Sequence, residues 1–211
     1  MRITQAKQKN ARYLYLYIEG EYALAAHVEA FAAMGLKEGM EITPAQLEEL
    51  RVRTDTIKAR EKAYHLLSYR DYSKKELIDK LGNKVEREVA EAVTDRIEEL
   101  GYLSDEEYSR KLVRSLSREK MLSERSIRRE LALRGIAPEL AEEAMEELEE
   151  DDVTRILRLI HRKFERKLTD ETGVRRVCAA LMRRGYAYSD VRAALQQYLE
   201  EKNWQQELPQ E

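Results

Sequence analysis

The chain is poor in the residues that interrupt helices and in those that build thick cores. It contains three prolines and eight glycines among 211 residues. Long stretches are therefore free to be helical, because proline and glycine are the least favourable residues inside a helix. Aromatic residues make up only 7% of the chain, whereas 37% of the residues are charged. This composition favours thin helical layers over a thick core.

Cysteine is almost absent too, and long apolar runs are missing. With Cys178 as the only cysteine, no disulfide can form within the chain, which fits a reducing compartment. Cys178 follows Val177 in a helical pattern, so we expect a small buried side chain rather than a reactive thiol. No run is long enough to span a bilayer, and residues 1–4 do not start a secretory signal. We therefore expect a cytoplasmic protein without membrane contact.

The sequence also lacks the motifs of catalytic and metal sites. His27, His65 and His161 are scattered, and none has a partner at metal-ligand spacing. There is no glycine-rich phosphate loop and no supported Ser-His-Asp arrangement. The acidic run over residues 146–152 lacks the glycine turn of a calcium loop, so a solvated face is expected there. We predict a protein that is not an enzyme and needs neither metal nor cofactor.

A helical motif returns with a period of fifty residues. Each copy has a helix-start position and an apolar pair whose members are four residues apart. One basic residue lies two positions after the helix start, and another lies three positions after the second apolar residue. A fixed period of this size is typical of tandem helical units that cannot bury their apolar faces alone. The start positions are Ser73, Ser123 and Gly173, the apolar pairs are Leu77/Leu81, Ile127/Leu131 and Val177/Leu181, and the basic residues are Lys75/Lys84, Arg125/Arg134 and Arg175/Arg184.

The first 55 residues differ from the rest. Two apolar runs around Gly20 predict a β-hairpin, and residues 3–7 supply a candidate third strand. A short helix should follow and end at Gly35. Thr43 then caps a helix through Leu50, and Asp55 caps a separate helix that begins the repeats. We predict a small α+β unit here.

The predicted fold is mainly α. The small N-terminal α+β unit is followed by three tandem three-helix repeats in an elongated, curved array. Each repeat has a lead-in helix, a capped basic helix and an alanine-containing helix. The predicted boundaries are 1–55 for the N-terminal unit, 56–104, 105–152 and 153–202 for the repeats, and 203–211 for a polar tail.

The net charge of −3 hides a segregation of charge along the chain. Residues 110–134 contain nine bases and three acids, residues 139–152 nine acids and no base, and residues 155–184 ten bases and three acids. If like helices align, the basic helices form one strip and the acidic helix lies elsewhere. The alternative is a solvated surface laced with salt bridges. Charge alone does not choose between nucleic acid and an acidic protein surface, because arginine forks suit phosphates and carboxylates alike.

Three motifs follow one another along the chain. They are Arg70-Asp71-Tyr72-Ser73-Lys74-Lys75-Glu76-Leu77, Leu100-Gly101-Tyr102-Leu103-Ser104-Asp105-Glu106-Glu107-Tyr108 and Ser126-Ile127-Arg128-Arg129-Glu130-Leu131. They resemble the RecX family of bacterial recombination regulators, and the resemblance spans roughly residues 58–200, in the same order as in the family. The first repeat departs from the family at Lys84-Val85, where a Lys-Gly pair is usual, and Met121-Leu122 occupies the place of a glycine-containing turn.

The resemblance implies a partner and an activity. Members of the family bind the RecA protein, mainly as its filament on single-stranded DNA, and lie in the filament groove. The expected result is inhibition of the ATPase, strand-exchange and coprotease activities of RecA by limiting filament growth or stability, with the chain acting as a monomer. The alternative is a stand-alone nucleic-acid-binding helical module. The predicted contact residues for RecA or for DNA within the groove are Lys75, Lys84, Arg125, Arg128, Arg129, Arg134, Arg175, Arg176, Arg183 and Arg184.

Overall fold

A computed structural model describes the backbone of residues 1–207 and the side chains of residues 1–202. The chain forms two compact units, one comprising Met1–Leu103 and the other beginning at Ser104. Within the described residues, no helix combines the length and the apolar character that crossing a membrane would need.

The first unit opens with a three-stranded antiparallel sheet in the order β1-β2-β3. The strands are β1 (Ile3–Gln8), β2 (Tyr13–Ile18) and β3 (Glu21–His27). Both residues of the β2–β3 turn have positive φ, 52° at Glu19 and 86° at Gly20, as a tight hairpin turn requires. One face of the sheet is buried, with Leu16 and Ile18 in the same core cluster as Phe31 of helix α1 (Val28–Ala33). The predicted hairpin and third strand are confirmed.

Helix α2 runs without a break from Pro44 to Leu67, so the predicted pair of helices on either side of Asp55 is wrong. Thr43 and Gln46 form the predicted capping box. No glycine or proline interrupts residues 44–67 after the first position, so nothing stops the helix at Leu50. The Asp55 carboxylate lies 3.5 Å from the Lys58 ammonium instead of capping.

The continuous helix α2 contributes side chains to two cores. The expected division between residues 55 and 56 therefore falls inside a helix. Its first half contributes Leu50 and Ile57 to the core beneath the sheet. Its second half contributes Ala59 and Ala63 to the next cluster, which it shares with helices α3 (Lys74–Gly82) and α4 (Arg87–Glu99). Helices α2, α3 and α4 form the first three-helix repeat.

The second repeat consists of α5 (Asp105–Arg118), α6 (Glu124–Leu133) and α7 (Pro138–Glu146). Ser104 and Ser123 cap the first two helices, and Gly135 turns the chain after α6 with a φ of 73°. Helix α7 ends at Glu146, within the acidic run. The acidic residues beyond Glu146 would oppose the negative C-terminal end of the helix dipole.

The third repeat consists of α8 (Asp152–Leu159), α9 (Glu171–Met182) and α10 (Tyr188–Glu207). Helix α8 continues into a π-helical turn (Ile160–Phe164) and a 3-10 turn (Glu165–Lys167). The fifty-residue shift placed the cap of α9 at Gly173, but Asp170 is the cap, and its carboxylate accepts a 2.6 Å hydrogen bond from the Gly173 amide. A Cβ on residue 173 would lie 1.9 Å from the Lys167 carbonyl oxygen, so glycine is needed there for packing.

The predicted fold class is confirmed: a small sheet precedes three three-helix repeats. The division into repeats at residues 104, 152 and 202, and the curvature of the array, stay predictions. Helix α10 extends past residue 202, and residues 208–211 of the predicted polar tail lie outside the described residues.

Candidate partner-binding surface

The ten predicted contact residues are divided between the two units. Lys75 and Lys84 lie in the first unit, on and just after α3, and both are exposed. The eight arginines lie in the second unit, on or at the ends of helices α6 and α9. These eight divide into side chains that face solvent and side chains that are engaged within the protein.

Four of the arginines are exposed and make no hydrogen bond or ion pair with any described side chain or backbone group through their guanidinium groups. We call this set, Arg125, Arg129, Arg176 and Arg183, the free arginines. Arg175 is close to them in character, since it is 77% exposed and its one ion pair, to Glu171 at 2.6 Å, is equally exposed. Such a surface pair contributes little to stability and opens at small cost to a partner.

The other three arginines already have partners. Arg128 lies 3.1 Å from Glu142 of α7 and 3.3 Å from Glu124, and the hydrogen bond with Glu142 raises the pKa of its guanidinium. Arg134 pairs with Glu130 one turn earlier. Arg184 donates from Nη1 to the Lys120 carbonyl oxygen at 2.9 Å. These side chains contribute to the fold, so they are weaker candidates for partner contacts.

The acidic run does not lie apart from the basic residues, and that part of the charge prediction is wrong. Glu147 pairs with Arg114 at 2.8 Å and Arg110 at 3.3 Å, and Glu149 pairs with Arg118 at 2.7 Å. Helix α7 packs against α5 within the same repeat, so residues just after it reach the arginines of α5. The salt-bridged surface that was the alternative describes this part of the second repeat.

A close contact brings the two basic helices together at their ends. The Ser126 hydroxyl, near the start of α6, donates to the Arg184 carbonyl oxygen just after α9, at 3.0 Å. Gly185 makes the approach possible, because a Cβ there would lie 2.0 Å from the Ser126 Oγ. Arg125 and Arg183 are each adjacent in sequence to a residue of this contact.

Met121 anchors the second repeat in the third. It has a φ of 50° and is fully buried, and it belongs to the core cluster of the third repeat rather than its own. Its carbonyl oxygen accepts a 2.9 Å hydrogen bond from the Tyr186 hydroxyl. Burial raises the pKa of Tyr186 to about 12. The departure from a glycine-containing turn at Met121 thus has a packing role.

Arg155 completes this junction as a buried charge. Its guanidinium lies 2.5 Å from Asp152, 3.5 Å from Glu124 of α6, and 2.7 Å from the Glu150 carbonyl oxygen. One of the ten bases counted over residues 155–184 is therefore internal. Sequence reasoning missed it, although the acids Asp151 and Asp152 just before it and the apolar Ile156 just after it were available as a signal.

An open groove of about 610 Å³ runs between α9 and α10, next to Arg175. Three of its lining side chains, Met182, Tyr188 and Leu199, are large, apolar and exposed. Cys178 also lines the groove. It is half-buried, whereas the sequence analysis expected a buried side chain. Exposed apolar side chains next to charged ones are typical of protein interaction surfaces.

The fold and this surface define a helical-repeat protein whose arginines are presented on repeated helices. Three family models match it: the first three-helix domain of RecX over residues 59–96, the second over 104–145 and the third over 149–195. The chain belongs to the RecX family.

Curated relatives share the length of the chain as well as the sequence. A protein named regulatory protein RecX from Caldanaerobacter subterraneus is 28% identical over 191 residues, covering 90% of this chain and 94% of the relative. Its counterpart of the same name in Clostridioides difficile is 25% identical over 201 residues, covering 94% of each.

Solved structures are similar in fold. A crystal structure of regulatory protein RecX matches with a TM-score of 0.62 at 19% identity, covering 92% of this chain and 98% of that one. The RecX structure from Lactobacillus salivarius matches with a TM-score of 0.57 at 21% identity, covering 68% of this chain and 96% of that one.

Proposed function

We propose that this protein is a regulator that binds the RecA filament on single-stranded DNA in its groove and limits filament growth or stability. The ATPase, strand-exchange and coprotease activities of RecA would fall as a result. Membership of the RecX family, whose curated relatives are named regulatory proteins, supports a regulatory role. In this proposal the chain acts in the cytoplasm as a monomer, without catalysis of its own and without a cofactor.

The observation that carries the proposal is the fixed presentation of the free arginines on two helices. Ser126, Gly185 and the buried Met121 hold the second and third repeats together, so the arginines of α6 and α9 keep a set spacing. A filament offers the same acidic groups, protein or phosphate, at regular intervals. A rigid array loses little conformational freedom when it binds such a partner.

The groove beside Arg175 favours a protein partner over naked DNA. Nucleic-acid surfaces that read the backbone are dominated by charge, whereas Met182, Tyr188 and Leu199 offer apolar contact. Lys75 and Lys84 belong to the proposed contact set as the exposed basic positions of the first repeat. Arg128, Arg134 and Arg184 remain in the set at lower rank because each has an internal partner.

The test is inhibition of RecA-dependent ATP hydrolysis on single-stranded DNA. The protein is titrated well below the RecA concentration, and its affinity for bare DNA is measured at the same salt. We expect strong substoichiometric inhibition at protein concentrations that leave most of the bare DNA unbound, and inhibition that weakens as salt increases. Inhibition seen only where bare DNA is already saturated would favour the stand-alone nucleic-acid module instead.

A matched pair of charge reversals assigns the surface. Arg125→Glu with Arg129→Glu removes two free arginines from α6 and should weaken inhibition by about tenfold or more. The control, Arg162→Glu with Arg166→Glu, changes the net charge equally at exposed residues outside the proposed set. Equal loss in both variants would mean that only total charge matters. Full inhibition by the α6 variant would reject the assignment.

A further inference from the structure

The N-terminal sheet presents tyrosines on the face that is turned away from its core. Along β2 the side chains alternate, with Leu14, Leu16 and Ile18 in or against the core cluster. Tyr13, Tyr15 and Tyr17 therefore lie on the opposite face, because successive strand side chains point to opposite sides. Tyr22 of β3 pairs with Tyr17 across the sheet and lies on the same face. Four of the twelve tyrosines of the chain are concentrated within these ten residues.

Three of these rings form one cluster, which we call the tyrosine face: Tyr15, Tyr17 and Tyr22. The Tyr22 ring lies 5.9 Å from each of the other two, edge to face, at 71° and 74°. Tyr22 is 55% exposed. These contacts hold the rings in place before any ligand arrives, and tyrosine has few torsions to immobilise on binding.

The charge next to the tyrosine face is positive. Lys7 of β1 pairs directly with Tyr15, which puts it on the same face. The Lys9 ammonium lies 5.1 Å from the centre of the Tyr15 ring. The nearby acids point to other groups: Glu19 accepts from the Arg2 amide, and Glu38 accepts from the Ala6 amide at the β1 edge, at 3.2 Å. Glu21 lies at the turn, beyond the rings.

We propose that the tyrosine face, with Lys7 and Lys9, binds single-stranded nucleic acid by stacking unpaired bases on its rings. Aromatic rings flanked by basic groups on an open sheet are the features by which proteins hold single strands. Alternate residues on a strand are about 6.7 Å apart, twice the 3.4 Å rise per nucleotide of a stacked strand. This spacing suits bases that separate from one another, each stacking on a ring.

A duplex cannot use this surface in the same way, because its bases are already stacked and paired. The binding therefore discriminates single strands from duplex and depends weakly on sequence, since every base has a π-face. This inference goes beyond the proposed function. It requires neither RecA nor any of the arginines on α6 and α9.

The experiment measures fluorescence anisotropy of a labelled oligothymidylate and of a duplex of equal length with the full chain. Tyr15→Ala with Tyr17→Ala should weaken single-strand binding about 100-fold, about tenfold for each ring. Tyr15→Phe with Tyr17→Phe should bind normally, because stacking needs the ring and not the hydroxyl. The control, Tyr69→Ala with Tyr102→Ala, removes tyrosines that are 75% and 62% exposed elsewhere in the first unit and should also bind normally.

A second measurement needs no variant and covers the case in which the alanine variant does not fold. An oligonucleotide carrying a photoreactive thymine analogue is cross-linked to the unsubstituted chain, and the adducts are mapped. Adducts at Tyr15, Tyr17 or Tyr22 support the proposal. Adducts confined to other segments overturn it, as does duplex binding as tight as single-strand binding.

Two further outcomes separate this proposal from its competitors. If sedimentation shows a dimer that the alanine variant loses, the tyrosine face is a contact between copies and the proposal is wrong. If Arg125→Glu with Arg129→Glu abolishes oligonucleotide binding while the tyrosine variants retain it, the binding belongs to the arginines. If the unsubstituted chain inhibits RecA but does not bind the oligonucleotide, this proposal has failed. If it binds the oligonucleotide but does not inhibit RecA, the proposed function has failed.

Discussion

Two neighbouring residues, Arg183 and Arg184, show how differently the second unit uses one residue type. Arg183 is exposed and its guanidinium has no partner among the described residues, whereas the Arg184 guanidinium donates to the Lys120 carbonyl oxygen. The same contrast separates the free arginines from the junction formed by Met121, Arg155, Gly185 and Tyr186. A count of basic residues along the chain does not distinguish arginines bound within the protein from arginines that face solvent. Only the structural partners separate the arginines that hold repeats together from those available to a binding partner.

The largest effect on the junction is expected from Met121→Ala. The side chain is fully buried among residues of the third repeat, so its removal leaves a cavity there. We expect the free energy of unfolding of the second unit to fall by about 3 to 4 kcal/mol. Urea unfolding with hydrogen exchange of the amides of residues 104–202 measures this. Met182→Ala, at an exposed methionine, is the control and should change stability by less than about 0.5 kcal/mol.

A smaller loss, of about 2 to 3 kcal/mol, is expected for Gly185→Ala. The new Cβ would displace the Ser126 hydroxyl and break its bond to Arg184, and φ at this position is 91°. Gly101→Ala isolates the backbone contribution, because φ there is 76° and no atom lies within 4 Å of the added Cβ. Equal losses in the two variants would show that the close approach at Gly185 has no energetic role.

Tyr186→Phe should cost about 1 kcal/mol at neutral pH, since it leaves the Met121 carbonyl oxygen without its donor. It should also change the alkaline behaviour. Burial raises the pKa of Tyr186 to about 12, above the value of about 10 in an unfolded chain. The neutral Tyr186 hydroxyl therefore contributes fully to the free energy of unfolding below pH 10. This contribution is lost as pH rises towards 12.

Unfolding at a series of pH values checks this second effect. The phenylalanine variant should lose less stability than the unsubstituted chain between pH 10 and 12. Tyr188→Phe, at an exposed tyrosine, should follow the unsubstituted chain. Identical pH profiles for all three proteins would contradict the assignment.

The smallest stability effects, and the sharpest functional contrast, are expected at Arg183 and Arg184. Arg184→Ala removes a hydrogen bond and should cost about 1 kcal/mol, while Arg183→Ala should cost less than about 0.5 kcal/mol. In RecA-dependent ATP hydrolysis the order should reverse, with Arg183→Ala weakening inhibition more than Arg184→Ala. Equal inhibition by both variants would remove Arg183 from the proposed surface.

Local signals predicted most of the fold. Ser73 and Ser123 each cap a helix as expected, and Gly135 and Gly185 turn the chain after the basic helices. The prediction failed where a helix cap was inferred although no glycine or proline ends the preceding helix, as at Asp55 inside α2. It also failed where periodicity was extended onto a different cap, as at Gly173. An Asp or Gly has a local preference, but the neighbouring helix propensity and packing decide whether it is used.

The candidate site was predicted only as a set of residues. The recurrence of basic positions located α6 and α9, yet it gave Arg128 and Arg134 the same weight as Arg125 and Arg129. Arg128 pairs with Glu142 of the next helix, and Arg134 pairs with Glu130 of α6. Many acids along the chain could serve as such partners, so the pairing depends on which helices pack together.

The sequence by itself determined the helical repeats, their caps and the alternation of the N-terminal strands, because these depend on contacts between residues close along the chain. Tertiary structure decided which charges are free and which tyrosines form one face. It also decided that Met121 is buried in the core of another repeat. Those outcomes depend on groups far apart in sequence, such as Ser126 and Arg184. Only the packing of helices and the pairing of strands bring such groups within a few ångströms of each other.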